Sequence, residues 1–165
     1  MSTVTLNYGN LSDEQIYIDI LKNLGTLFPK TDLVLSVISN FTAVLKQSFG
    51  KISWVGFYFL NGDYLHLGPF QGKIACTQIR VGNGVCGTSA VERKTIIVEN
   101  VNKFPGHIAC DSDSKSEIVV PIIYNDNLIG VLDIDSYRYS AFTEIDKHYL
   151  EQMVDFLAPR INNIL

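Results

Sequence analysis

Residues 52–67 read Ile52-Ser53-Trp54-Val55-Gly56-Phe57-Tyr58-Phe59-Leu60-Asn61-Gly62-Asp63-Tyr64-Leu65-His66-Leu67. The stretch is dense in β-branched and aromatic residues, and Asn61-Gly62 is a strong signal for a tight hairpin turn. It therefore predicts two antiparallel strands. Upstream the period is helical. Ser12 and Gln15 form a capping-box pattern ahead of Ile16, Ile20, Leu24 and Leu27, and Phe28-Pro29 ends that helix. A second helix is expected from Thr31 or Asp32, with a stripe of Leu33, Val34, Val37, Ile38, Phe41, Val44 and Leu45 that Gly50 closes. Downstream, a third strand is expected over 73–81. Gly82-Asn83-Gly84 then turns into a short helix over 85–92, and a further strand covers 95–98. The hairpin 117–124/128–135 follows, and a last helix begins near Thr143, where Asp146 completes another capping box. Hairpin-linked strands flanked by helices predict an α+β fold: an antiparallel sheet of about six strands, the N- and C-terminal helices on one face, and a pocket on the other. Residues 1–165 fit one domain.

Composition narrows the function. Apolar residues make up 47% of the chain and charged residues 18%, enough for a real core. The net charge is -4 and no basic run is present, which argues against phosphate-driven nucleic-acid binding. No apolar stretch reaches membrane-spanning length. Met1-Ser2-Thr3-Val4-Thr5 lacks the basic start and apolar block of a signal peptide, so a cytoplasmic location is expected. Segment 99–116 has no periodicity and is longer than most connections, which predicts a functional lid or binding loop.

Cys76, Cys86 and Cys110 make an odd count, unsuited to a structural disulfide framework in a reducing compartment. Three readings of the thiols stand: buried small hydrophobes, metal ligands together with His107, or redox groups. The Cys-x9-Cys and Cys-x23-Cys spacings match no compact zinc pattern. Cys86 lies beside an expected helix start, where a thiol's pKa would fall; Cys110 lies in the long loop. Among carboxylates, Asp133 and Asp135 share one strand face, and pairing Tyr124 with Leu128 puts Glu117 opposite Asp135. Three acids on one patch require a cation or a shared proton, or else form a solvated acidic face. Trp54 and Tyr58 flank Gly56 on one face and suit either a pocket wall or core packing. His66 and His107 are read as ordinary partners of the backbone.

The blocks Trp54-Val55-Gly56-Phe57-Tyr58, Gly68-Pro69-Phe70-Gln71-Gly72, Gly82-Asn83-Gly84-Val85-Cys86-Gly87, Gly106-His107-Ile108-Ala109-Cys110-Asp111, Ser114-Lys115-Ser116-Glu117-Ile118 and Gly130-Val131-Leu132-Asp133-Ile134-Asp135-Ser136 resemble the free methionine-(R)-sulfoxide reductases, stand-alone GAF-domain enzymes. The resemblance runs from Ile52 to Ser136 and includes all three cysteines. It implies a GAF-like fold and thiol-dependent reduction of free methionine-(R)-sulfoxide. By that resemblance the Cys110 sulfur attacks the sulfoxide, Cys76 forms a disulfide with it, and Cys86 is a second thiol available for recycling. Glu117, Asp133 and Asp135 shape the polar side of the substrate pocket, and Trp54 and Tyr58 its aromatic side. No cofactor or metal is implied; a thioredoxin-type protein supplies the electrons, and members of the family often form homodimers. The chemistry agrees: thiolate attack needs an acid to protonate the departing oxygen, and crowded carboxylates hold one. The competing reading is a non-catalytic GAF-type small-molecule sensor, which usually reports to an output domain that this chain has no residues left to form.

Overall fold

Side chains alternate along the central strands, and that alternation sorts the sheet into two faces with different work. The structure is a computed structural model describing residues 8–108 and 110–162; the opening residues read above and Ala109 of the fourth block lie outside the described residues. The elements are α1 (Asp13–Leu27), α2 (Val34–Ser48), β1 (Trp54–Asn61), β2 (Tyr64–Gln71), β3 (Gln78–Arg80), α3 (Gly84–Glu92), β4 (Ile96–Val98), β5 (Ser116–Tyr124), β6 (Asn127–Ser136) and α4 (Glu144–Ile161). The strands form one antiparallel sheet in the order β3-β2-β1-β6-β5-β4. On one face, Val55, Phe57 and Phe59 of β1, Ile118, Val120 and Ile122 of β5 and Leu132 and Ile134 of β6 pack beneath α1, α2 and α4. Each such buried side chain contributes about 1.5–3 kcal/mol relative to exposure. The alternate residues Trp54, Tyr58, Val119 and Val131 turn to the opposite face, beneath α3. The expected α+β layering is what forms.

Caps follow the sequence signals closely. Ser12 and Gln15 make a reciprocal capping box on α1, and Thr143 and Asp146 make one on α4. Asp146 carries a second duty: its buried carboxylate accepts from Tyr17 Oη at 2.9 Å and from Lys51 Nζ at 2.6 Å, joining α1 and the entry to β1 to α4. The second helix starts later than Thr31 or Asp32. Asp32 N donates to Pro29 O at 3.1 Å, so those residues close a turn first.

Three further departures concern the sheet. The first hairpin turns at Gly62 and Asp63, because Asn61 pairs with Tyr64 as the last strand residue. The expected strand over 73–81 shortens to Gln78–Arg80. At Gly72 the backbone adopts φ +137°, and a Cβ there would sit 2.4 Å from Trp54 Cδ1. The chain thus bends flat across the indole, and aromatic donors take over the carbonyls that a sheet ladder would have used. Trp54 Nε1 donates to Lys73 O at 3.0 Å, and Tyr58 Oη to Cys76 O at 3.0 Å.

The last departure is a compensated one. Asn125 and Asp126 both have positive φ and close a two-residue turn, so Tyr124 pairs with Asn127 rather than Leu128. A bulge at the next step, between Ile122 and Ile123, moves the register by one. Glu117 therefore still faces Asp135. The long connection 99–116 is not featureless: Val101–Lys103 form a 3-10 turn, and Val101 N donates to Lys115 O at 2.9 Å.

Candidate active site

The pocket lies on the α3 side of the sheet, roofed by segments 72–77 and 104–114, and takes in about 530 Å³ with its mouth. Its aromatic wall comes from β1. Gly56 makes that wall possible, since a Cβ there would meet Trp54 Cη2 at 2.4 Å. The indole lies over the glycine, with its centroid 6.1 Å from that of Tyr58 and 5.5 Å from that of Phe70. Burial, followed by the negative charge of Asp133, raises the Tyr58 pKa well above the ordinary phenol range, so its hydroxyl remains a donor.

The polar floor comes from β5 and β6. Across the sheet, Trp54 pairs with Asp135 and Asp135 with Glu117; one row on, Gly56 pairs with Asp133 and Asp133 with Val119. Strand alternation then points all three carboxylates the same way, as expected. They are far from a solvated acidic face: Glu117 is 5% exposed, Asp133 7%, and Asp135 is half-buried. Burial first, and repulsion from Asp133 second, hold both Glu117 and Asp135 well above the usual carboxylate range. Burial raises Asp133 less, to about 6, because hydrogen bonds from Cys86, Glu117 and the Ile134 amide favour its charged form. Near neutral pH the floor therefore combines protonated acids with one anion. Asp133 Oδ1 is buried and has no hydrogen-bond partner, which leaves an acceptor facing unspent. Cys86, Glu117 and Asp133 each place one donor atom within 4.8 Å of the others, an arrangement suited to a cation, either a metal ion or an ammonium group.

The cysteines separate clearly. Cys76 and Cys110 are joined in a disulfide with Cα atoms 5.5 Å apart, and Cys110 lines the pocket. A zinc set built on all three cysteines together with His107 is therefore not assembled. Cys86 is free and buried inside the first turn of α3. The expected lowering of its pKa is overturned. Burial, then the charge of Asp133, pushes the thiol well up, since desolvation outweighs the helix terminus.

The GAF domain family profile matches residues 32–162. The free methionine-R-sulfoxide reductase of Escherichia coli is 43% identical over 144 residues, covering 87% of this chain and 87% of that protein. The chain belongs to the free methionine-R-sulfoxide reductase family. The crystal structure of the Neisseria meningitidis free methionine-R-sulfoxide reductase, in complex with its substrate, superposes on this member of the family with a TM-score of 0.90. It shares 39% identity and covers 94% of each chain. The GAF domain-containing protein A of Dictyostelium discoideum is 48% identical over 147 residues, 88% of this chain and 92% of its own.

Within this reductase-family pocket, several residues take up contacts that the sequence does not assign, among them His107, read above as a metal-ligand candidate or a partner of the backbone. His107 places Nε2 3.8 Å from Glu117 Oε2, and burial lowers its pKa, so a neutral ring meets a protonated acid. Ser114 is buried and its hydrogen bond partly offsets the rise at Asp135. Both lie in the aperiodic connection, where no spacing rule assigns a direction to a side chain; the length of that connection was the signal for a role in the pocket. Asp111 lies in the same connection, and Lys73 stands where the expected strand over 73–81 does not form. Lys73 Nζ lies 2.7 Å from Asp113 and 3.3 Å from Asp111, and Tyr137 Oη donates to Asp111 at 2.8 Å. Burial would raise Asp111, but these bonds and the Asp113 amide outweigh it and hold its pKa below the ordinary value. His66 lies on β2 and does not line the pocket. Among the described residues, no helix is long and apolar enough to cross a membrane.

Proposed function

We propose that this protein reduces free methionine-(R)-sulfoxide to methionine, with Cys110 as the attacking sulfur, Cys76 as its disulfide partner and a thioredoxin-type protein as the final reductant. What supports the reading above all is the Cys76–Cys110 bridge at a pocket floored by buried, partly protonated carboxylates and walled by Trp54 and Tyr58. The Asp133 carboxylate, nearest of the three to the ordinary range and lacking a partner at Oδ1, takes the substrate's ammonium group. The methyl and methylene groups lie against the aromatic wall. Glu117 or Asp135, each holding a proton, donates it to the sulfoxide oxygen. The Cys110 thiolate then attacks; the substrate sulfur is reduced to the thioether, and Cys110 is oxidised to a sulfenic acid that carries the oxygen. The Cys76 thiolate displaces that oxygen as water after one further protonation, forming the S–S bond, and the external dithiol reopens it. Cys86 remains a buried thiol beside Asp133 and acts in recycling only when exposed by movement of α3.

The test is turnover of each sulfoxide epimer by reduced protein with dithiothreitol. Methionine is expected from the R epimer and not from the S epimer. Cys110→Ser should yield none at any dithiothreitol concentration, and Glu117→Gln should slow release by about a hundredfold or more, the scale of a positioned proton donor. Cys76→Ser should lose far more activity with thioredoxin than with dithiothreitol. No turnover of the R epimer would replace the enzyme with a non-catalytic small-molecule sensor.

A further inference from the structure

Two chain segments must meet for the disulfide to close, and neither belongs to the sheet at that point. Segment 72–77 carries Cys76 and segment 104–114 carries Cys110. The first is fixed to the aromatic wall by its backbone, through Trp54 Nε1 on Lys73 O and Tyr58 Oη on Cys76 O. Among the described residues, the Lys73 side chain ties it to the second segment beside the disulfide itself. Its ammonium lies 2.7 Å from Asp113 Oδ2 and 3.3 Å from Asp111 Oδ1, and 5.1 Å above the ring of Tyr137. Tyr137 Oη and the Asp113 amide hold the Asp111 carboxylate in place, at 2.8 and 3.0 Å. Asp111 is the residue next to Cys110, and Lys73 is three residues from Cys76.

We propose that Lys73 is a positioning residue for disulfide closure, clasping the Cys76 segment to the Cys110 segment through Asp111, Asp113 and Tyr137. The inference rests on the reductase reading above and concerns its second step alone. In that step the Cys76 thiolate attacks the Cys110 sulfenic sulfur, the S–O bond breaks, the oxygen leaves as water on protonation, and both sulfurs end as a disulfide. A clasp that survives reduction keeps the two sulfurs at high effective concentration, so the sulfenic acid is short-lived. Lys73 touches neither the carboxylate floor nor the reacting atoms.

A single-turnover experiment without external reductant separates the steps: methionine release and loss of the first thiol report attack, and loss of the second thiol reports closure. In Lys73→Met, methionine release should stay within about twofold of wild type. Closure should slow about fivefold to tenfold, the scale of an exposed ion-pair network reinforced by a cation–π contact, and dimedone should trap more Cys110 sulfenic acid. Lys73→Arg should restore most of the closure rate. Raising salt to 1 M should slow closure in wild type and not in Lys73→Met. Unchanged closure in Lys73→Met, or attack and closure falling together, overturns the proposal. Oxidation with hydrogen peroxide forms the Cys110 sulfenic acid without the sulfoxide. If wild type releases no methionine yet peroxide-driven closure still depends on Lys73, the clasp stands and the reductase reading falls.

Discussion

Replacing Asp133 by asparagine should make the empty protein more stable while removing its activity. Asp133 is 7% exposed, and its pKa is raised from 3.8 to about 6 by burial, which disfavours the charged form. A carboxyl group whose folded pKa exceeds its unfolded value contributes its full stability below the unfolded pKa and loses it as pH rises through the folded one. The window here runs from about pH 4 to about pH 6. A rise of roughly two units corresponds to about 3 kcal/mol lost above that window. The asparagine side chain carries no charge, so the Asp133→Asn variant does not incur the loss. For a chain of 165 residues that is a gain of about 6–12 °C in Tm at pH 8. At pH 4 wild-type Asp133 is itself protonated in the fold, and the gain should shrink to under about 1 kcal/mol. Thermal unfolding of the oxidised, disulfide-bonded form at both pH values measures it, with R-epimer turnover of the reduced form assayed alongside. Equal gains at pH 4 and pH 8, or a less stable variant at pH 8, would refute the assignment of a strained anion. Full activity in the variant would remove Asp133 from the substrate's ammonium.

Two other perturbations test how the scaffold holds the site. Asp146→Ala leaves Tyr17 Oη and the largely buried Lys51 ammonium without their shared acceptor, and should cost about 3 kcal/mol or more in urea unfolding; Lys51 keeps its contact with Asp13 at 2.8 Å and its place over the Phe142 ring. A loss under about 1 kcal/mol would mean that water replaces the carboxylate. Gly130→Ala puts a Cβ 2.1 Å from Tyr58 O, backbone of the adjacent strand, and should cost about 3 kcal/mol. Tryptophan fluorescence should shift as β1 is displaced; an unchanged spectrum and denaturation midpoint would contradict so close a packing.

Periodicity and capping carried most of the fold. Val55, Phe57 and Phe59 against Trp54 and Tyr58 is alternation that only a strand produces, and Ser12/Gln15 and Thr143/Asp146 mark helix starts by local hydrogen bonding alone. The floor was legible because strand direction dictates where Asp133 and Asp135 point. Its register was reached through an assumed pairing of Tyr124 with Leu128 that the turn does not make, and the bulge at Ile122/Ile123 supplied the difference. Periodicity said nothing where the chain leaves periodic structure. The bend at Gly72, the partners of Lys73 and the approach of His107 and Ser114 all depend on contacts between segments remote in sequence. Cys86 shows the converse limit: a helix start argues for a lowered pKa, and only its burial reverses the sign. The family resemblance, by contrast, paired Cys76 with Cys110, the bond that forms.

That bulge also insulates. Beyond it the β5–β6 tip, Ile123 to Leu128, holds its own pairing and its own left-handed turn, while everything on the pocket side keeps step with Glu117 and Asp135. Extra residues grafted between Asn125 and Asp126 would lengthen the tip without rotating an acid out of the cavity. The far end of this hairpin, tied to the rest of the fold where Arg93 donates to Asp126 O, stands outside the cavity lining and could carry a dye or an epitope there.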